Sequence, residues 1–257
     1  MEKNLHKFKF NQYSQNGEDG VIHVILQRVF VKQDKLNIVE FGIADGKYFS
    51  NTFKLIENKK VQNAIYIEEN KNLFSKLYEL SKLYPEIKPI NLFVDHKKNS
   101  QNSLDKILEK NNFNKEYDIL SIDIDSYDLD VYRSIEVYHP KLLIIEAGKQ
   151  SYGVFSEHSQ NNQFNSFSSI YNIVSKKYYL IFYNGNMFFL NKNYFSKSCV
   201  LKNFFLDDEL HYLLHNLYHD YERASVLKKT LIDIISTYKN FIKFLIKLKF
   251  LKNYSNP

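Results

Sequence analysis

A single cysteine, Cys199, stands among the 257 residues. One thiol excludes a disulfide framework and a cysteine-based metal site. No run of about 20 apolar residues is present, so no segment reads as a membrane span. The first ten residues are polar and basic without an apolar core. That is not a signal-peptide pattern, and a cytoplasmic enzyme is expected. Alanine, glycine and proline are few beside Lys, Asn, Ile, Tyr and Phe. That bias fits an AT-rich coding sequence and carries no function.

Excess positive charge is missing from most of the chain. The formal net charge is +6. From Ala224 onward seven lysines (228, 229, 239, 243, 247, 249 and 252) face one acid, Asp233, so this tail holds the whole excess. The remainder is formally neutral. A nucleic-acid groove there would need basic residues lining it, so no nucleic-acid partner is expected.

What is present suffices for a core, with 44% hydrophobic and 16% aromatic residues. The length fits one α/β domain with an appendage. After Tyr13-Ser14-Gln15-Asn16-Gly17-Glu18-Asp19, the spacing of Val21, Ile22, Ile25, Leu26 and Val29 predicts a helix capped by Ser or Asn. Apolar runs predict strands at 36–41, 63–68, 90–94, 117–122 and 142–145. Helices are expected between them at 51–58, capped by Ser50, then at 71–82, 102–111 and 127–137. This alternation argues a parallel sheet. A further helix is expected at 164–176. Asn184-Gly185-Asn186 between the apolar runs 178–183 and 187–190 predicts a closing antiparallel hairpin.

Each of the first five strands ends in or beside an acid: Glu40, Glu68, Asp95, Asp123 and Glu146. Open α/β sheets bind ligands outside the carboxyl ends of their strands. The first strand runs into Gly42-Ile43-Ala44-Asp45-Gly46, where glycine lets a backbone and a ligand approach closely. Glu68, at the tip of the second strand, has the position that grips ribose hydroxyls in nucleotide-binding units. Five parallel units with a closing hairpin are the seven-stranded, Rossmann-like sheet of class I methyltransferases, expected over residues 1–200. Residues 201–257 are expected to form a basic helical extension.

Four blocks carry a resemblance: Ser14-Gln15-Asn16-Gly17-Glu18-Asp19-Gly20, Val39-Glu40-Phe41-Gly42, Asp45-Gly46 with Ser50-Asn51-Thr52, and Ser121-Ile122-Asp123-Ile124-Asp125. Together, over about residues 12–150, the chain resembles FkbM-like methyltransferases, which include enzymes that modify bacterial surface and capsular sugars. The resemblance implies S-adenosylmethionine as methyl donor. It implies a donor site of Gln15, Glu40, Gly42, Gly46, Thr52, Glu68, Asp95 and Asp123. Within it, Gly42 and Gly46 would face the methionine part, Glu68 the ribose and Asp95 the adenine, with Gln15 and Thr52 near the amino-acid end. The acceptor would be a sugar, nucleotide sugar or polysaccharide hydroxyl. The chain departs from many relatives at Ser126-Tyr127-Asp128-Leu129 and at Ala147-Gly148, both on the acceptor side.

A sugar hydroxyl needs a general base or a metal to lower its pKa. Asp123, Asp125 and Glu146 end neighbouring strands and together suit Mg²⁺. The alternative is that Asp123 orders a donor loop while Asp125 caps the following helix. Asp125 and His158 are the candidate bases; His158 is otherwise a water-facing loop residue. His96 follows Asp95 and is a candidate adenine contact. His211, His215 and His219 recur every fourth residue, as zinc ligands can, yet they also edge an amphipathic helix and are expected to have no ligand role. The basic amphipathic stretch at 238–251 suits either an anionic membrane surface at its cytoplasmic face or packing against the domain or a second copy in a homodimer. Two other functions fit parts of the pattern. One is a metal-dependent glycosyltransferase using Asp123-Ile124-Asp125. The other is a non-catalytic interaction domain. Within methyl transfer, a nitrogen or phosphoramidate acceptor also fits.

Overall fold

The computed structural model describes residues 2–148, 155–159 and 164–206. The chain divides into two units at Tyr212, and the second, Leu213–Pro257, lies wholly outside the described residues. The expected extension beyond Leu206, the His211/His215/His219 stripe and the basic tail therefore lie outside them too. Among the described residues, no helix is long and apolar enough to cross a membrane.

Seven strands form one sheet in the order β3-β2-β1-β4-β5-β7-β6. They are β1 (Leu36–Phe41), β2 (Val61–Ile67), β3 (Ile87–Ile90), β4 (Ile119–Ile122), β5 (Leu142–Glu146), β6 (Tyr178–Tyr183) and β7 (Asn186–Asn191). The first five are parallel, and β7 runs antiparallel between β5 and β6. This is the seven-stranded, Rossmann-like sheet with a terminal hairpin that the sequence predicts. Both sheet faces are covered, which is why the parallel strands are near-continuous apolar runs. Asn184 and Gly185 make the hairpin turn, as their residue types require.

The helices are α1 (Glu18–Val29), α2 (Phe53–Glu57), α3 (Lys71–Leu83), α4 (Leu104–Lys110), α5 (Asp128–Ser134), α6 (Phe167–Val174) and α7 (Lys197–Asn203). Side chains of α1, α2 and α3 share one core with Ile38, Ala64, Tyr66 and Ile119. Those of α4, α5 and α6 share the opposite core with Val39, Phe41, Leu120 and Leu143. Successive residues of β1 therefore serve opposite faces, as strand geometry demands. The crossovers change face after β3, so β1 and β4 stay paired to their ends while the chain leaves them toward opposite faces of the sheet. That is the switch point where an open α/β sheet has its crevice.

Three expectations are corrected. The third strand is Ile87–Ile90, and 90–94 runs on as loop. Lys88 and Pro89 break the apolar pattern, but β3 is an edge strand, where a missing N–H is tolerated. Helix α1 is preceded by Gly17 at φ +103° with no side-chain cap of its own. Ser14 Oγ nevertheless accepts from Asp19 N at 3.0 Å, satisfying a first-turn donor from further upstream. Helix α5 opens without a cap from Asp125, whose φ of +58° sets it apart from the helix. A short 3-10 helix (Leu5–Phe8) and α7 were not anticipated.

Candidate functional site

The loop leaving β1 is built around Glu40. Its side chain lies on the α2 face and is 3% exposed. Its carboxylate accepts from Ser50 Oγ at 2.8 Å, Asn51 N at 2.7 Å, Thr52 Oγ1 at 2.5 Å and Thr52 N at 3.2 Å. Burial pushes the Glu40 carboxyl up, against those four donors. Ser50 Oγ also accepts from Phe53 N at 2.9 Å. Helix α2 starts later than expected, with Thr52 and not Ser50 at its N-cap, so Ser50 holds the first helical N–H from further upstream. Thr52 Oγ1 reaches Tyr66 Oη at 2.8 Å. Glu40 and Thr52 thus bind each other inside the protein and fix the loop's path.

The glycines of this loop answer first to the protein's own packing. Gly42 has φ +78°, and a Cβ there would sit 1.6 Å from the Asp123 carbonyl oxygen. Gly46 has φ +84°, and its Cβ would meet Leu77 Cδ1 at 2.5 Å. Between and beyond them, Ala44 at φ +53° and Phe49 at φ +70° hold left-handed conformations that side chains disfavour. Phe49 is 62% exposed, and its N–H donates to Tyr13 O at 2.8 Å.

Glu68 stands where its sequence position puts it, at the tip of β2 and against the glycine loop. Its carboxylate accepts from Asn70 N at 2.8 Å, and the Ala44 N–H lies near enough to favour its charged form. Burial pushes its pKa up, opposed by those two donors. A carboxylate so placed has lone pairs to offer the hydroxyls of a ribose, so the donor set fits a nucleoside cofactor. Asp95 lies five residues past the end of β3, in an isolated bridge to Ser103. Its Oδ1 accepts from Lys97 N at 3.0 Å, and the Ser100 hydroxyl followed by that N–H holds its pKa down.

The Ser14-Gln15-Asn16-Gly17-Glu18-Asp19 block is mainly architectural. Asp19 Oδ2 accepts from the N–H groups of Gln12, Tyr13 and Ser14 at 2.7, 2.8 and 3.1 Å. Glu18 Oε1 accepts from Asn184 and Asn186 Nδ2, both at 3.1 Å. The block is thereby fastened to the hairpin, whose Asn186 pairs with Glu146 at the end of β5. Gln15 is exposed beside these contacts, and its carbonyl accepts from Asn11 Nδ2 at 2.8 Å.

Asp123, Asp125 and Glu146 come together: one ligand atom of each lies within 4.8 Å of the others. Parallel pairing sets this up, because Ile122 of β4 is in register with Ile145 of β5. Burial, then the charges of Glu146, Asp128 and Asp125, push the Asp123 carboxyl well above the usual range. Asp128 orders the loop, accepting from Ile124 N at 2.9 Å and Ser126 N at 3.0 Å. Asp125 is thus free of the capping role and turned to solvent. Three carboxylates in this arrangement form an oxygen donor set that fits a hard divalent cation.

His158 lies against the same loop. Its ring is 4.0 Å from that of Tyr127, centroid to centroid, at 50°. The other side of the group is His96, stacked on Tyr127 at 4.6 Å and 3°. The three rings come from the loops after β5, β4 and β3. Tyr127 as their common partner carries no sequence signal, since it depends on three loops meeting in space.

No family model matches the chain, and no curated protein matches it in sequence. Among solved structures, it is similar to the methyltransferase domain of bacterial CtHen1-CN, with a TM-score of 0.44 and 12% identity over 67% of this chain and 96% of that one. It is similar to M. capricolum TrmK in complex with S-adenosyl-homocysteine, at a TM-score of 0.41 and 15% identity over 88% of this chain and 96% of that one. It is also similar to a SAM dependent methyltransferase from Aquifex aeolicus, at a TM-score of 0.40 and 9% identity over 64% and 88% of the two chains. The chain's own strand order, with the hairpin antiparallel beside β5, carries the fold.

Proposed function

We propose that this chain is an S-adenosylmethionine-dependent methyltransferase acting on a sugar hydroxyl, in the making of a bacterial capsular or surface polysaccharide. One observation carries the reading. At the switch point, a glycine loop with Glu68 beside it adjoins a cluster of three carboxylates at the ends of β4 and β5. The first half suits a nucleoside donor and the second a polyhydroxylated acceptor.

S-adenosylmethionine supplies a methyl group on a sulfonium sulfur, open to in-line displacement by the acceptor oxygen. The residues do the rest. Glu68 would accept from the ribose hydroxyls, with Asp95 toward the adenine and Gln15 toward the amino-acid end. Glu40, Gly42, Gly46 and Thr52 keep the loop in shape for this. Asp123, Asp125 and Glu146 are the proposed Mg²⁺ ligands, and a cation there would lower the pKa of an acceptor hydroxyl. Asp125 or His158 takes the hydroxyl proton. Alignment of acceptor and donor contributes much of the rate enhancement in such a displacement. The basic segment from Ala224 is proposed as a positioning device that either rests on an anionic membrane surface, where each lysine adds on the order of 1 kcal/mol, or packs on the domain or a second copy.

The test is mass spectrometry after incubation with the donor, Mg²⁺ and a panel of nucleotide sugars and capsule fragments. A product 14 mass units heavier (roughly one methylene) in a sugar fraction supports the reading. Glycosyl transfer from a nucleotide sugar in place of methylation would replace it with the glycosyltransferase reading of Asp123-Ile124-Asp125.

A further inference from the structure

Hydrogen bonds from Ser156, Glu157 and His158 bind the segment carrying His158 to the rest of the edge. Ser156 O accepts from Ser166 N at 2.7 Å, while Ser156 N donates to Ser166 Oγ at 3.1 Å. Glu157 pairs with Arg133 of α5 through two bonds of 2.7 Å. His158 N donates to Asn165 Oδ1 at 3.0 Å. The Arg133–Glu157 pair is open to water, and such pairs contribute little. Asn165 differs. It is 3% exposed, and both ends of its amide are used. While Oδ1 holds His158, Nδ2 donates to Ser126 O at 3.0 Å. Ser126 directly follows Asp125. The Asn165 carbonyl also accepts from Gly148 N at 2.7 Å, just past the end of β5.

One buried amide thus joins the loop of one candidate base to the loop of the other. We propose that Asn165 is a positioning residue: it holds His158 over Tyr127 and beside the loop of Asp125, so that imidazole and carboxylate cluster face the acceptor as one unit. The role in catalysis rests on the methyltransferase reading; the coupling itself does not. The physical reason is the asymmetry of buried hydrogen bonds. An amide that loses one partner inside the protein leaves a donor or acceptor unsatisfied, so the two loops are held together or neither is. An aspartate in its place keeps the acceptor for His158 N but sets a carboxylate oxygen against the Ser126 carbonyl.

The experiment uses the full chain with Asn165→Asp and Asn165→Ser, and Tyr127→Leu as a control. Proton NMR reads the His158 ring signals, assigned by their loss in His158→Gln. In the native protein they are expected upfield, shifted by the Tyr127 ring, and Tyr127→Leu removes that shift. Asn165→Asp is expected to remove it as well while leaving S-adenosylhomocysteine affinity within about threefold, and to lower kcat about tenfold or more with a smaller change in acceptor KM. An Asn165→Asp protein that is folded and keeps the shifted His158 signals would overturn the proposal. Should both Asn165 variants fail to fold, hydrogen exchange at the His158 amide of the native chain decides. Protection is expected, and free exchange would overturn the coupling. A native protein that binds no S-adenosylhomocysteine would remove the methyltransferase reading and leave the ring-shift result standing on its own.

Discussion

Gly42 lies so close to Asp123 that a Cβ on the glycine would fall 1.6 Å from the Asp123 carbonyl oxygen. The loop leaving β1 and the loop leaving β4 are therefore in backbone contact, which sets the proposed donor side of the crevice directly against the proposed acceptor side.

Gly42→Ala is expected to be far more damaging than Gly46→Ala, although both residues have positive φ. At Gly42 the obstacle is backbone. At Gly46 it is the end of the Leu77 side chain, which can turn aside. We expect a loss of roughly 4 kcal/mol or more at Gly42 and about 1–3 kcal/mol at Gly46, measured by denaturant unfolding. Equal losses would mean that the two loops are not in contact.

Asp123 gives a stability effect of the opposite sign. Its carboxyl is pushed up by burial and by Glu146, Asp128 and Asp125. The native state therefore holds a proton that the unfolded chain releases near the ordinary value of 3.8. Stability should fall as pH rises through the window from that value to the raised native one. Asp123→Asn should flatten this slope and raise the melting temperature at and above neutral pH. Millimolar Mg²⁺ should raise the melting temperature of the native chain at neutral pH and leave that of Asp123→Asn unchanged. A native chain indifferent to Mg²⁺ would leave Asp125 or His158 to act without a metal.

Phe49 and Phe53 lie four residues apart and should respond in contrary ways. Phe53 is fully buried, and Phe53→Ala should cost about 3–5 kcal/mol. Phe49 is 62% exposed on a left-handed backbone, so Phe49→Gly should change stability by no more than about 1 kcal/mol. Its effect should appear instead in acceptor KM, if the projecting ring lines the approach to the acid cluster. A large loss of stability in Phe49→Gly would make the ring a packing residue.

The parallel strands were legible because burial on both faces leaves long apolar runs, and the runs ending in Glu40, Glu68 and Glu146 needed little else. Strand β3 was displaced because Ile87-Lys88-Pro89-Ile90 reads as loop, and only its edge position makes it tolerable. The convergence of Asp123, Asp125 and Glu146 was readable from strand ends, since parallel register brings neighbouring ends together. The roles of Glu40 and Thr52 were not. Both sit in motif positions, yet whether such a side chain meets a ligand or its own loop depends on which sheet face it takes. Asn165 was invisible for a related reason. The apolar spacing puts it inside a helix expected at 164–176, whereas α6 begins only at Phe167, and its two partners, His158 and Ser126, are set by tertiary packing.

Calorimetric titration of the full chain with S-adenosylhomocysteine tests the central claim most directly. The native protein should bind with micromolar or tighter affinity, about −8 kcal/mol. Glu68→Ala, with an unchanged melting temperature, should weaken this by about 1–3 kcal/mol, the loss expected for a charged hydrogen-bond acceptor. No binding of S-adenosylhomocysteine by folded native protein, with binding of UDP or GDP in the presence of Mg²⁺ instead, would contradict the account.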